Sequence, residues 1–242
     1  MNDKFAAQME QELKELGIKL SDHQMRQFYD YYGLLIQWNS MMNLTAITEM
    51  EDVVTKHFVD SLSLIKALPD LAEKDYSLID VGTGAGFPGI PLKIAFPKLR
   101  IVLLDSLNKR VKFLNEAISY LGLEDIDACH GRAEDYGRDH VSRETFDLCV
   151  SRAVANLSTL SEYCMPFVRV GGFFIPYKSG KLDEELINGK GAVKKLGGEI
   201  EEVLRFTLPN ADERTLVKIK KNSPISKKYP RKAGMPAKEP LR

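Results

Sequence analysis

The sequence predicts an α/β fold: a mostly parallel, seven-stranded sheet closed by a C-terminal antiparallel hairpin, behind a helical N-terminal extension. Three observations predict it. From Tyr76 onward, short apolar runs alternate with helix-period segments, which is the pattern of βαβ units on a parallel sheet. The first such run feeds directly into a glycine-rich turn and then a helix. The last two runs, Ile200 to Leu208 and Arg214 to Lys221, follow one another across Pro209-Asn210-Ala211-Asp212 with no helix between them.

The elements follow in order. Asn2 can cap a helix running to about Leu16, with Gly17 ending it. Ser21-Asp22-His23-Gln24 has the form of a capping box, and Phe28, Tyr31, Leu35 and Trp38 recur at helical spacing behind it. Asn43 to Thr48 breaks the pattern, and a further helical stretch from about Met50 to Leu68 is stopped by Pro69. Strands are expected at Leu78 to Val81, Arg100 to Leu104, Ile126 to Cys129, Phe146 to Val150 and Gly172 to Tyr177. Helices are expected at Pro91 to Phe96, Lys109 to Leu121, Leu157 to Tyr163 and Leu182 to Leu196. Three segments result: a helical extension over 1–70 packed on the core, a cofactor-binding domain over 71–222, and a basic tail over 223–242. From about Asn222 the chain is rich in Pro and Lys and is expected to be extended or mobile.

Length and composition narrow the function classes. The 242 residues give room for one α/β domain plus extensions, and 44% hydrophobic with 28% charged residues is ordinary for a globular protein. No apolar run approaches the roughly 20 residues needed to cross a bilayer, and the N-terminus lacks the form of a secretory signal, so a cytoplasmic protein without a membrane is expected. Cys129, Cys149 and Cys164 have no metal-knuckle spacing, nor do His23, His57, His130 and His140; the reading is reduced thiols and no metal. Net charge is zero, yet its distribution is not even. Met1 to Asp70 carries 6 Lys/Arg against 11 Asp/Glu, and Arg205 to Arg242 carries 11 against 3. A basic end of this kind suits a polyanion, although a solvated tail with no partner has the same composition.

The chemistry is concentrated in Asp80-Val81-Gly82-Thr83-Gly84-Ala85-Gly86-Phe87-Pro88-Gly89. Glycines between a strand and a helix allow a tight turn and close approach of a ligand to backbone N–H groups at the helix start. A dinucleotide fingerprint needs a glycine at the sixth position counted from Gly82, where this chain has Phe87. The spacing present, Gly82, Gly84 and Gly86, is the form of S-adenosylmethionine enzymes, and Pro88 fits the first turn of the helix that follows. Asp105, at the end of the second strand, can accept bonds from ribose hydroxyls. Gly131-Arg132-Ala133-Glu134 follows the third strand, where an adenine edge would lie. Taken singly, Asp105 and Glu134 are equally explained as helix-start acids. The fourth strand ends in Ser151-Arg152-Ala153-Val154, with neither an Asn/Asp-Pro-Pro-aromatic segment nor a Pro-Cys nucleophile. Arg152 is the one candidate catalytic group there; a surface ion pair is the competing reading. A missing general base suits guanine N7, which offers an in-plane lone pair and has no proton to remove, so positioning alone could suffice.

In sequence, Asn43-Leu44-Thr45-Ala46-Ile47, His57-Phe58-Val59-Asp60-Ser61-Leu62, the segment from Asp80 to Pro91, Leu104-Asp105-Ser106, Arg132-Ala133-Glu134, Ser151 to Ala155 and Tyr229-Pro230-Arg231-Lys232-Ala233-Gly234-Met235-Pro236 closely resemble the bacterial glucose-inhibited division protein B family, the small-subunit ribosomal RNA guanine-N7 methyltransferases. The resemblance covers nearly the whole chain. It implies a class I S-adenosylmethionine methyltransferase acting on one guanine of 16S rRNA, free or in the small ribosomal subunit. It also implies cofactor contacts at Gly82, Phe87, Ala133, Glu134 and Arg152; Gly84, Gly86 and Asp105 are added from the turn and strand logic above. Arg110, Lys112, Arg152, Lys178 and the tail are the candidate RNA contacts, and a monomer is expected. The cluster His57, Asp60, Ser61 invites a hydrolase reading, but no nucleophile elbow accompanies it, so a structural or substrate-facing role is favoured. Two other functions stay open at this point: methylation of a small molecule or protein, and a non-catalytic ribosome assembly factor that retains the cofactor fold.

Overall fold

The computed structural model describes residues 1–152, 154–180 and 182–242. The N-terminal extension begins with α1 (Asp3–Leu13), capped by the Asn2 side chain, and α2 (Asp22–Met42), opened by a complete Ser21/Gln24 capping box. Asn43, at φ 51°, ends α2. A helical run over 50–66 follows as α3 (Met50–Val53), a π-helical turn (Val54–Val59), α4 (Asp60–Leu62) and a final tight turn (Ser63–Lys66).

The alternating part comprises β1 (Ser77–Val81), α5 (Gly89–Ala95), β2 (Arg100–Asp105), α6 (Asn108–Tyr120), β3 (Ile126–His130), α7 (Ala133–Tyr136), β4 (Phe146–Arg152), α8 (Leu157–Cys164), β5 (Val168–Ser179) and α9 (Asp183–Lys195). β6 (Gly198–Thr207) and β7 (Glu213–Lys221) form the closing hairpin, and α10 (Met235–Lys238) is a single turn near the C-terminus. The seven strands lie in the order β3-β2-β1-β4-β5-β7-β6, with β7 antiparallel to both neighbours and the other pairings parallel. The predicted sheet and hairpin are therefore present. Differences sit at boundaries: α5 starts two residues early, with Pro88 just before it, and β5 runs from Val168 through the Gly171-Gly172 pair rather than starting there.

Strand residues alternate between two apolar cores, as a sheet covered on both faces requires. Leu78, Ile101, Leu103, Leu148 and Val150 face the extension together with α5 and α6, where Phe28, Phe58 and Phe113 are fully buried. Ile79, Val81, Leu104 and Cys149 face α8 and α9. Two glutamines of α2 fix the extension to the sheet layer. Gln24 Nε2 donates to Ile94 O and Ala95 O, and Gln27 Nε2 to Leu121 O, so α2 satisfies the free carbonyls at the ends of α5 and α6.

The tail is not an extended arm. Ile225, Tyr229, Pro230 and Pro236 are buried, and Arg143 donates to Ile225 O, Ser226 O and Tyr229 O. Polar composition alone concealed these anchoring positions.

Candidate active site

Strand order reverses direction between β1 and β4, and in an open α/β sheet that switch point opens a crevice at the strands' C-terminal ends. The glycine turn lies there. Gly82, Gly84 and Gly86 have φ of 72°, 63° and 93°. A Cβ on Gly82 would stand 2.7 Å from Val154 Cγ2, and one on Gly86 would meet Ile90 Cδ1 at 2.5 Å and the Tyr31 hydroxyl at 2.8 Å. Tyr31 itself donates to Ala85 O, so α2 supports the turn from below.

Two carboxylates hold the turn's shape. Asp105, 2% exposed, accepts from Gly84 N and Leu107 N, both at 2.9 Å, with Arg110 Nη1 at 3.4 Å. Its carboxylate thus points into the turn and braces the backbone. Asp80 is fully buried; its Oδ2 accepts from Thr83 Oγ1 (2.6 Å) and Gly89 N (2.9 Å), while Oδ1 has no hydrogen-bond partner. Burial pushes the Asp80 carboxyl up from 3.8 to about 6, against the pull of Thr83, Gly89 and Arg152.

That shift has a pH signature. A carboxyl raised in the folded state stabilises the fold fully below pH 3.8, and the contribution is lost as pH rises through about 6. Asp80→Asn cannot titrate. The stability of wild type relative to this variant should fall by about 2 kcal/mol between about pH 4 and pH 7 in urea titrations. A difference that stays constant with pH would contradict the assignment.

A cavity of about 310 Å³ opens beyond the turn, lined by Gly82, Ser106, Ala133, Glu134, Tyr163 and Gly234 among others. Three of the sequence-predicted residues, Gly82, Ala133 and Glu134, line it directly. Gly84 and Gly86 shape the turn behind it. Ser106, Tyr163 and Gly234 join them without having been expected as contacts: Ser106 and Gly234 stand in segments that carry the family resemblance, and Tyr163 stands in no motif. The lining suits a nucleoside, since glycine backbone, the Ser106 hydroxyl, the Glu134 acid and the Arg132 side chain border it. Those residues fit S-adenosylmethionine.

Phe87 and Arg152 lie on the other side of the turn. Phe87 is 6% exposed, stacked on His57 with centroids 4.4 Å apart, and the Arg152 guanidinium carbon is 5.1 Å from its ring centre. Arg152 Nη1 donates to Asp60 Oδ2 (2.8 Å) and Lys56 O (3.2 Å), and Nη2 lies 3.3 Å from His57 Nδ1. The competing ion-pair reading of Arg152 is thus partly right, but the pair is buried: side-chain exposures are 14% and 5%. Arg214 Nε stands 3.3 Å from Asp60 Oδ1, a Coulombic attraction without hydrogen-bond alignment, so that oxygen has no hydrogen-bond partner.

Burial, reinforced by Arg152, lowers the His57 imidazole to about 3. His57 is neutral near pH 7; its Nδ1 lies between Lys56 O (3.2 Å) and Arg152 Nη2 (3.3 Å), and its Nε2 is 2.9 Å from Thr45 Oγ1. The hydrolase reading fails on geometry. Ser61 is fully buried and donates its hydroxyl to His57 O, not to the imidazole. Arg152, His57, Asp60, Lys56, Tyr177 and Arg214 line a second cavity of about 580 Å³.

Of the predicted RNA contacts, Lys178 joins Arg152 on the second cavity, where it donates to Ala155 O and pairs with Glu185, whereas Lys112 is exposed on α6. Cys149 is fully buried in the sheet. Ala153, quoted with the fourth-strand motif, lies outside the described residues. Among the described residues, no group of three His, Cys, Asp or Glu side chains could hold a metal ion, and no helix is long and apolar enough to cross a membrane.

Comparison with known proteins agrees with this geometry. The family model described as rRNA small subunit methyltransferase G matches residues 24–217. A Ribosomal RNA small subunit methyltransferase G from Lachnoclostridium phytofermentans is 56% identical over 232 residues, covering 96% of this chain and 95% of that protein. Its namesake from a Thermoanaerobacter species is 50% identical over 242 residues, covering both chains completely. Among solved structures, the 16S rRNA (adenine(1408)-N(1))-methyltransferase of Catenulisporales acidiphilia superposes with a TM-score of 0.54 at 12% identity, over 66% of this chain and 92% of that one. At that identity the likeness is one of fold.

Proposed function

The chain belongs to the rRNA small subunit methyltransferase G family, and from this premise we propose that it transfers a methyl group from S-adenosylmethionine to N7 of a guanine in 16S rRNA. One observation carries the reading. Arg152, the last residue of β4, lines the cationic cavity, and Val154 lines the nucleoside-sized one. Two residues along a chain lie at most about 7 Å apart, which puts a donor in the first cavity within reach of a base in the second.

The cofactor supplies an electrophilic methyl group on a sulfonium sulfur. The chain's own residues bind and orient. Gly82, Ala133 and Glu134 would hold the nucleoside part of the cofactor, with Gly84 and Gly86 keeping the turn in shape behind them. Asp105 is assigned to fixing the turn, in place of the direct ribose contact expected from strand logic. Arg152 borders the second cavity, with its guanidinium held over the Phe87 ring. Neutral His57 holds Arg152 and Thr45 in place and takes no proton, which suits N7, where no proton must leave. Such a site accelerates transfer by proximity and orientation. Lys56 and Arg214 at the second cavity suit phosphate groups, which add affinity but not base choice. The working unit proposed is a cytoplasmic monomer on the 16S rRNA of a small ribosomal subunit, without a metal.

Labelled methyl transfer to small subunits, to deproteinised 16S rRNA and to a total protein extract tests the substrate class. Label is expected in rRNA. Label confined to protein or small molecules would overturn the reading, and cofactor binding with no transfer to any of them would point to a non-catalytic assembly factor.

A further inference from the structure

We infer that Arg231 and Glu162 are positioning residues for the cofactor cavity: their ion pair clamps the C-terminal segment onto α8 so that the Gly234 amide holds Glu134 in place. The proposal rests on the cofactor reading of the 310 Å³ cavity.

Glu162 lies on α8 and is fully buried. A buried carboxylate is costly unless its charge and lone pairs are met. Arg231 meets them from one residue. Its backbone N donates to Glu162 Oε1 at 2.8 Å, Nε to Oε1 at 2.9 Å, and Nη2 to Oε2 at 2.7 Å. The same Nη2 donates to Glu239 O at 2.7 Å, which ties the segment beyond α10 back to the guanidinium. Thr159, one turn before Glu162 on α8, donates its hydroxyl to Pro236 O at 3.1 Å. Between these anchors, Gly234 has φ 83° and donates its N–H to Glu134 Oε1 at 2.9 Å. Gly234 and Glu134 both line the cavity.

Buried ion pairs add little net stability over apolar side chains of similar volume; what they can supply is a single fixed geometry. Here that geometry ends on a cavity wall. Gly234 takes one oxygen of Glu134 and so sets the plane in which the other is presented. The most basic segment of the sequence therefore spends one of its arginines on the interior. The exposed Lys227, Lys228 and Lys232 stay free for polyanions, and the Arg231 guanidinium is committed to Glu162.

The test uses the full chain as wild type, Arg231→Ala and Arg231→Lys, with Glu162→Gln as a milder second variant should Arg231→Ala fail to fold. S-adenosylmethionine is titrated at a temperature where every variant is folded, and small subunits are titrated separately over a salt series. Arg231→Ala is expected to weaken S-adenosylmethionine binding by about tenfold or more, about 1.4 kcal/mol. Arg231→Lys should recover only part of it, because an ammonium cannot fork onto a carboxylate. Small-subunit affinity and its salt slope should change by less than about twofold. Linkage demands the reciprocal effect: saturating S-adenosylmethionine should slow tryptic cleavage after Arg231 and Lys232 in the wild type. An unchanged cofactor Kd with only a lowered Tm would reduce the pair to fold stability and overturn the proposal. Lost small-subunit affinity with a shallower salt slope and an intact cofactor Kd would overturn it in favour of a polyanion arm. A wild type that binds no S-adenosylmethionine would overturn the cavity assignment itself, an outcome distinct from both.

Discussion

Gly82→Leu is expected to lose S-adenosylmethionine affinity by at least about a hundredfold, and methyl transfer with it. Two costs combine at this position. The left-handed backbone, φ 72°, penalises any L-residue by about 1–2 kcal/mol. In addition, the new Cβ would meet Val154 Cγ2 at 2.7 Å, and the rest of the side chain would have to enter the cavity wall. Gly84→Ala separates the two costs: its φ is 63°, but a Cβ there meets no heavy atom within 4 Å, so strain alone is added and the loss should be smaller. Calorimetric titration of both variants checks this. Equal losses at the two positions would mean that the wall at Val154 does not border the bound cofactor.

Arg152→Ala is expected to destabilise the fold by about 3 kcal/mol and to abolish transfer. The variant leaves Asp60 buried with only Arg214 nearby, and breaking a buried pair from one side costs roughly 3–5 kcal/mol. The lower end applies because Arg214 persists. His57 reports the same event independently. Arg152 is the second cause, after burial, of its lowered basicity, so the His57 pKa should rise from about 3 in the variant. Urea midpoints give the stability change and imidazole NMR titration gives the shift. Arg152→Lys should restore the charge but not the fork onto Asp60, Lys56 O and His57. A stability loss under about 0.5 kcal/mol with an unmoved His57 would show that the buried cluster is not coupled as described.

The local features of this fold were legible in the sequence because their causes are local. The capping box at Ser21 and Gln24, the helical period through Phe28, Tyr31 and Leu35, and the strand-to-glycine transition at Val81-Gly82 each declare themselves within a few residues. What the sequence concealed acts across distance. Gln24 completes its own capping box and also caps α5, 70 residues away. Asp60 and Arg152 are 92 residues apart, and Glu162 and Arg231 are 69 apart, so nothing near either member marks the pair. Asp105 shows the limit of positional logic. Its place at the end of β2 is the one expected, but both oxygens go to backbone amides of the turns beside it. The tail misled for a related reason: its lysines and prolines suggest a solvated arm, whereas Ile225, Tyr229, Pro230 and Pro236 are buried and decide its path.

Under the proposed function this site works by alignment alone, on an acceptor atom that carries no proton. This is tested most directly by mass-spectrometric nucleoside analysis of 16S rRNA after reaction of the purified protein with unmethylated small subunits and S-adenosylmethionine. A single new product, 7-methylguanosine, is expected, formed by the wild type and absent with Gly82→Leu. A methyl group on an exocyclic amine, such as N2-methylguanosine or N6-methyladenosine, would contradict it, because those reactions must dispose of a proton that neutral His57 and the buried Asp60–Arg152 pair are not placed to accept.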